Sequence, residues 1–156
     1  MNSEFLLIAF KLGNALILPL WALLFFAPRS KLADRIFKNR TVLLVLAALY
    51  SVVVVPVLYQ SPSSLGALLS PTLPGVQLLL SSDGGAVAGW IHFLCFDLFV
   101  AAEIRERALQ RGHSFSWVSP IFFAVLMLGP LGWLIFECLS FGMIRLKSCQ
   151  PIKTDT

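Results

Sequence analysis

The chain has 156 residues, of which 58% are hydrophobic and 13% charged, with a mean hydropathy of +0.84. A soluble domain carries about 25% charged residues, so this composition excludes an ordinary water-soluble fold. The net charge of +4 sits between apolar segments, where it signals membrane topology and speaks against nucleic-acid binding.

The first apolar segment, Phe5–Ala27, is interrupted only by Lys11 and Asn14. About 20 apolar residues at 1.5 Å rise cross a hydrocarbon core of roughly 30 Å, so this is a predicted span. No basic residue precedes it, whereas Arg29, Lys31 and Arg35 follow it. That is the pattern of a retained anchor with a cytoplasmic C-terminal flank, not of a cleavable signal peptide. No transit peptide precedes Phe5 either, so the expectation is a bacterial or organelle-encoded protein, or a mature form. Pro28 stops the helix. The loop that follows is basic, with Arg29, Lys31, Arg35, Lys38 and Arg40.

Thr41–Leu58 is the second predicted span and carries no charge. The next loop, Tyr59–Gly85, has no Lys or Arg. Its apolar part, Leu73–Leu80, is too short to span and predicts an interfacial or re-entrant segment able to lid a cavity. The third span, Ala86–Ala102, has Asp97 as its only acid and leads into a basic stretch with Arg105, Arg107 and Arg111. The fourth, Val118–Phe136, is uncharged and contains Pro130 within "GPLGW". Pro19, Pro56 and Pro130 each predict a kink inside a span, and Gly129 and Gly132 allow close approach by a helix or ligand.

The fold class expected is an all-α integral membrane protein of one domain. It is a four-transmembrane-helix bundle with a short interfacial or re-entrant segment between helices two and three. The helices are predicted at about residues 5–27, 41–58, 86–108 and 118–146. Eight of the 12 Lys and Arg residues lie in the two basic loops, which read as cytoplasmic or stromal, with both termini on the far side. The tail, with Arg145, Lys147 and Lys153, disagrees with that placement.

Cys95, Cys138 and Cys149 form no C-x-x-C and no metal-ligand spacing, and read as small hydrophobes. The chain has no glycine-rich phosphate loop, H-E-x-x-H, G-x-S-x-G or dinucleotide fingerprint. No metal and no cofactor are expected.

Chemistry therefore concentrates in the third span, "GWIHFLCFDLFVAAEI". Ionisable groups inside a membrane are costly and usually face the bundle interior, so a functional site is the default expectation for His92 and Asp97. The two differ by about 140° around a helix and about 7.5 Å along it, which rules out a shared hydrogen bond. Each needs a partner elsewhere: Lys11 or Asn14, Tyr50, or a group across a homo-oligomer interface. Acid–base chemistry and interhelical hydrogen bonding by Asp97 both remain open. Glu103 and Arg107 form an i,i+4 pair expected at a solvated helix end.

Taken in order, "LGNALILPLWALLFFAPRSK", "LPGVQLLLSS", "GWIHFLCFDLFVAAEI" and "MLGPLGWLIF" resemble the abscisic-acid-deficient-four-like proteins across nearly the whole chain. The W-x-H-x-L-x-F-D-L-F core falls on Trp90, His92, Leu94, Phe96, Asp97, Leu98 and Phe99, and G-P-x-G falls on Gly129, Pro130 and Gly132. Plant members of that family are implicated in neoxanthin synthesis from violaxanthin in plastid membranes, and bacteria have relatives. The resemblance implies an integral protein of a thylakoid, plastid or bacterial inner membrane. It also implies a carotenoid end-group isomerase (epoxide to allene) with His92 and Asp97 catalytic. Trp90, Phe96, Phe99, Asn14, Trp21 and Pro130 are the implied substrate contacts. Membrane lipids, a carotenoid and a second copy of the chain are the implied partners. The alternative is a non-catalytic carotenoid-binding or pigment-complex assembly protein. The family pattern commonly places an arginine after D-L-F-x-[AG]. Here Ala102 and Glu103 stand there, so a basic partner is expected to be missing from that place.

Overall fold

The computed structural model describes residues 2–60, 65–66, 69 and 72–148. Cys149 and Lys153 lie outside the described residues, as do the side chains of Arg145 and Lys147. The described secondary structure is entirely helical: α1 Ser3–Phe26, α2 Lys31–Lys38, α3 Thr41–Gln60, α4 Leu73–Ser81, α5 Asp83–Gln110 and α6 Phe115–Ser148. Four of these, α1, α3, α5 and α6, are long and apolar enough to cross a membrane. The all-α membrane fold expected from hydropathy is therefore the one observed, with the short α4 between the second and third long helices.

Capping residues place the helix starts. The Asn2 side chain accepts from the Glu4 N–H at 3.2 Å to open α1, and Ser82 accepts from the Gly85 N–H at 3.1 Å to open α5. Thr72 caps α4 in the same way through the Gly75 N–H at 3.2 Å. The basic loop after α1 is itself helical. Ser30 accepts from the Ala33 N–H at 3.1 Å, and α2 turns Ala33 and Phe37 inward while Lys31, Arg35 and Lys38 stay on its outer face. That amphipathic face suits a membrane surface.

The hub is α5, which packs against α1, α3, α4 and α6. Ile17, Trp21, Leu24, Leu98, Ile104, Val118, Phe122 and Phe136 form the main buried cluster. Large side chains on the outer faces, such as Ile8, Leu44, Val55 and Phe123, are exposed and face the bilayer. Arg105, expected in a basic loop, is instead buried. Its guanidinium donates to the Pro28 carbonyl oxygen at 2.6 Å and pairs with Asp34, tying α2 to the bundle.

The proline kink expected in the fourth segment is a full reversal. Leu128 (φ −143°, ψ 29°) and Gly129 (φ 15°, ψ −83°) leave helical geometry inside α6. On a straight helix Trp117 and Phe136 would be about 28 Å apart. Their rings stack with centroids at 5.8 Å. At the tip, a β-carbon on Gly132 would lie 2.5 Å from the Val125 backbone nitrogen, so only glycine lets the two arms meet. At the base, Glu137 accepts from Arg107 and Arg111 at 3.0 Å each, and Ser140 bonds His113 Nε2 at 2.7 Å. The Glu103–Arg107 pair, expected to be a solvated helix end, is thus part of an ion network clamping this hairpin.

Candidate functional site

At 100° per residue, Cys95, Glu106, Phe99, His92, Gln110, Glu103 and Phe96 fall within about 100° of arc on α5. The upper part of this face is apolar apart from His92, and the lower part is polar. Opposite it, α3 supplies Leu43, Ala47, Tyr50 and Val54. Between the two helices runs a series of adjoining cavities.

The middle cavity, about 340 Å³, is lined by Leu43, Ala47, Tyr50, His92, Cys95, Phe96 and Phe99. Towards α4 it shares Tyr50 and His92 with a second cavity of about 280 Å³, which Leu79 and Leu80 of α4 border. Towards α2 it shares Leu43 and Phe99 with a third, about 270 Å³, which carries Lys38, Arg40, Glu103, Glu106 and Gln110. Together they form a seam from the level of Gly85 to that of Gln110, about 37 Å along α5. The His92 ring lies at the junction of the first two, 5.4 Å from Tyr50 and stacked on Phe96 at 5.9 Å. An imidazole held among aromatic rings in an apolar groove is suited to moving a proton to or from an apolar ligand.

Asp97 points elsewhere. Its Oδ1 lies against Gly129 at the reversal of α6. The returning arm of α6 begins there. No hydrogen bond links Asp97 to His92 among the described residues, in keeping with the helical arithmetic. Asp97 lines none of the cavities of the seam described above.

The implied substrate contacts divide in the same way. Phe96 and Phe99 share the groove with His92. Trp90 Nε1 donates to Asn14 Oδ1 at 3.3 Å, and Asn14 Nδ2 donates to the Phe10 carbonyl at 2.8 Å, so this pair bridges α1 and α5 on another face. Trp21 is 2% exposed within the core. Pro130 follows Gly129 at the hairpin tip and is exposed. Tyr50 was among the sequence-based candidates; Ala47, Arg40, Glu106 and Gln110 were not. The i, i+4, i+7 row His92–Phe96–Phe99–Glu103 was their signal. Ala102, where the family pattern commonly has arginine, lines the polar cavity, and Lys38 and Arg40 bring positive charge to it from outside α5. No cluster of three or more His, Cys, Asp or Glu side chains placed to hold a metal occurs among the described residues.

Comparison with known proteins agrees with the motif reading. The sequence pattern described as ABA DEFICIENT 4-like matches residues 8–136. The chain is 29% identical over 118 residues to the protein ABA DEFICIENT 4, chloroplastic, of Arabidopsis thaliana. The aligned part covers 69% of this chain and 52% of the relative, so the chain spans about half the relative's length. No solved structure gives a significant match.

Proposed function

The chain belongs to the ABA DEFICIENT 4-like family, and from that premise we propose that its α3–α5 groove binds a carotenoid or similar long isoprenoid and isomerises an epoxide end group. The family is one of membrane proteins linked to the carotenoid pathway. The observation that carries the proposal is the position of His92, a titratable ring in the wall of a long apolar groove.

The proposed reaction needs neither an oxidant nor a second substrate. A C–H bond beside the epoxide breaks, its electron pair forms the new double bond of the allene, and the epoxide C–O bond opens. The oxygen then takes a proton. Substrate and product hold the same atoms, so one imidazole can accept the carbon proton and return it to oxygen. His92 is assigned that role, with Tyr50, Phe96 and Phe99 holding the end group. Asp97 is assigned a positioning role at the tip of α6, outside the groove. The location proposed is a plastid, thylakoid or bacterial inner membrane.

A second reading, binding without catalysis, draws support from the same separation, since the Asp97 carboxyl does not join His92 in the middle cavity. One experiment distinguishes them. The protein is expressed in a host that accumulates epoxy-carotenoids, beside Ala47→Phe, which fills the middle cavity. The isomerase reading expects allenic product with the native chain and none with Ala47→Phe. Bound but unconverted pigment with the native chain would favour the binder.

A further inference from the structure

We propose that the outer face of α2 is a docking surface for anionic phospholipid headgroups, a property independent of what the α3–α5 groove binds. The helix joins two others of membrane length, α1 and α3. Ala33 and Phe37 turn inward, and the Arg105–Asp34 pair ties α2 to the bundle. At 100° per residue, Lys31, Arg35 and Lys38 share an arc of about 60° on the far side, within about 10 Å along the axis. All three are exposed.

The neighbouring cations are committed inside the protein. Arg29 donates to the His113 carbonyl at 2.9 Å, and Arg105 is buried against Asp34, the one acid of α2. Arg107 and Arg111 hold Glu137 at 3.0 Å each, and Arg40 approaches Glu103 at 3.9 Å. Lys31, Arg35 and Lys38 have no acidic partner among the described residues. Helix electrostatics does not account for Lys31, which takes the first helical position, where the dipole disfavours a cation. The surroundings of the stripe say what covers it. Leu32, beside it on the helix, is 56% exposed, and Phe26 at the end of α1 is 87% exposed. Apolar side chains so placed sit at the acyl boundary, which sets the adjacent cations at headgroup depth. Successive cations are three and four residues apart, closer than the Debye length of about 8 Å, so they attract an anion jointly. Each adds about fivefold to association with an anionic surface, and none of this acts on a zwitterionic one.

The test reconstitutes the full chain in vesicles of phosphatidylcholine and phosphatidylglycerol in equal amounts. The protein is purified from them in a mild neutral detergent, and the phospholipid that stays with it is identified by headgroup. The native chain is expected to enrich phosphatidylglycerol about tenfold or more. Arg35→Gln alone should lower that enrichment about fivefold, and Lys31→Gln, Arg35→Gln and Lys38→Gln together should bring it within about twofold of the vesicle ratio. Lys31→Arg with Lys38→Arg should keep it. Removing as many charges from the tail, by Arg145→Gln, Lys147→Gln and Lys153→Gln, should leave it unchanged. Added phosphatidylglycerol should raise the melting temperature of the native chain above its value in phosphatidylcholine, and this rise should vanish in the α2 triple variant. No enrichment by the native chain, enrichment that survives in the α2 triple variant, or equal loss in the tail variant would overturn the proposal. Release of the lipid by inorganic phosphate, beyond that caused by sodium chloride of equal ionic strength, would assign the stripe to a soluble anion and overturn it too.

Discussion

Gly129 meets the Asp97 carboxylate so closely that a β-carbon in its place would overlap Oδ1. The contact sits where α6 turns back, and it joins the one acid of the third span to the break in the helical geometry of α6. Gly129→Ala should therefore force either the carboxylate or the hairpin tip to move, at a cost of about 1–3 kcal/mol. Asp97→Ala should remove most of that penalty. Detergent-solubilised melting of the two single variants and the double variant forms the cycle, and additive losses would show that the two residues do not interact.

The fold-back also carries a topological expectation. Ser140 lies beside His113, so α6 returns to the corner at which it began. Ser114 and a reporter fused to the C-terminus should be accessible from the same side of the membrane. Both should lie opposite the Tyr59–Gly85 loop. Reporters on opposite faces would contradict the reversal. With α6 folded back, the basic tail is expected on the same side as the other basic stretches.

The hairpin base has its own test. Ser140 is 0% exposed, and its hydroxyl is shared between His113 Nε2 and an Arg111 N–H, both at 2.7 Å. Ser140→Ala should lower stability by about 1–3 kcal/mol, because a buried bonding group is lost. An unchanged melting temperature would show that the base is held by the Glu137 pairs alone.

The ion pair of α2 should respond asymmetrically. Arg105 is 1% exposed and Asp34 is 54% exposed. Asp34→Ala leaves a buried guanidinium without its counter-charge, whereas Arg105→Met leaves a carboxylate that water can reach. The first should be the more destabilising, even though it removes the smaller side chain. Melting of both variants decides it, and the opposite order would mean that Arg105 acts through packing rather than charge.

Much of this architecture was legible in the sequence, because apolar length and loop charge act locally. Phe5–Ala27, Thr41–Leu58 and Ala86–Ala102 needed no tertiary information to be recognised as helices of membrane length. Helix geometry alone separated His92 from Asp97. The reversal at Gly129 was less legible, since "GPLGW" is compatible with a kink or a hairpin. What selects the hairpin is the meeting of Trp117 with Phe136 and of Glu137 with two arginines of the α5 end. Those partners are distant in sequence. Arg105 was misread for the same reason: its acceptors, Pro28 and Asp34, lie more than 70 residues away. The helix after α1 was within reach, as Ser30 ahead of Ala33 and Phe37 is a capped amphipathic pattern. The groove needed α3 and α5 side by side before Ala47, Tyr50 and His92 could be seen as one wall.

The most direct measurement compares His92→Gln with Asp97→Asn in the epoxy-carotenoid host, scoring both pigment conversion and pigment retained by the purified protein. The groove assignment gives only His92 access to the ligand. His92→Gln should retain pigment and lose conversion by about 10²-fold or more, the usual scale for a general acid–base group. Asp97→Asn keeps the shape of the hairpin-tip residue and should convert at close to the native rate. Full conversion by His92→Gln, or loss of conversion by Asp97→Asn with pigment still bound, would contradict the assignment of proton transfer to the α3–α5 groove.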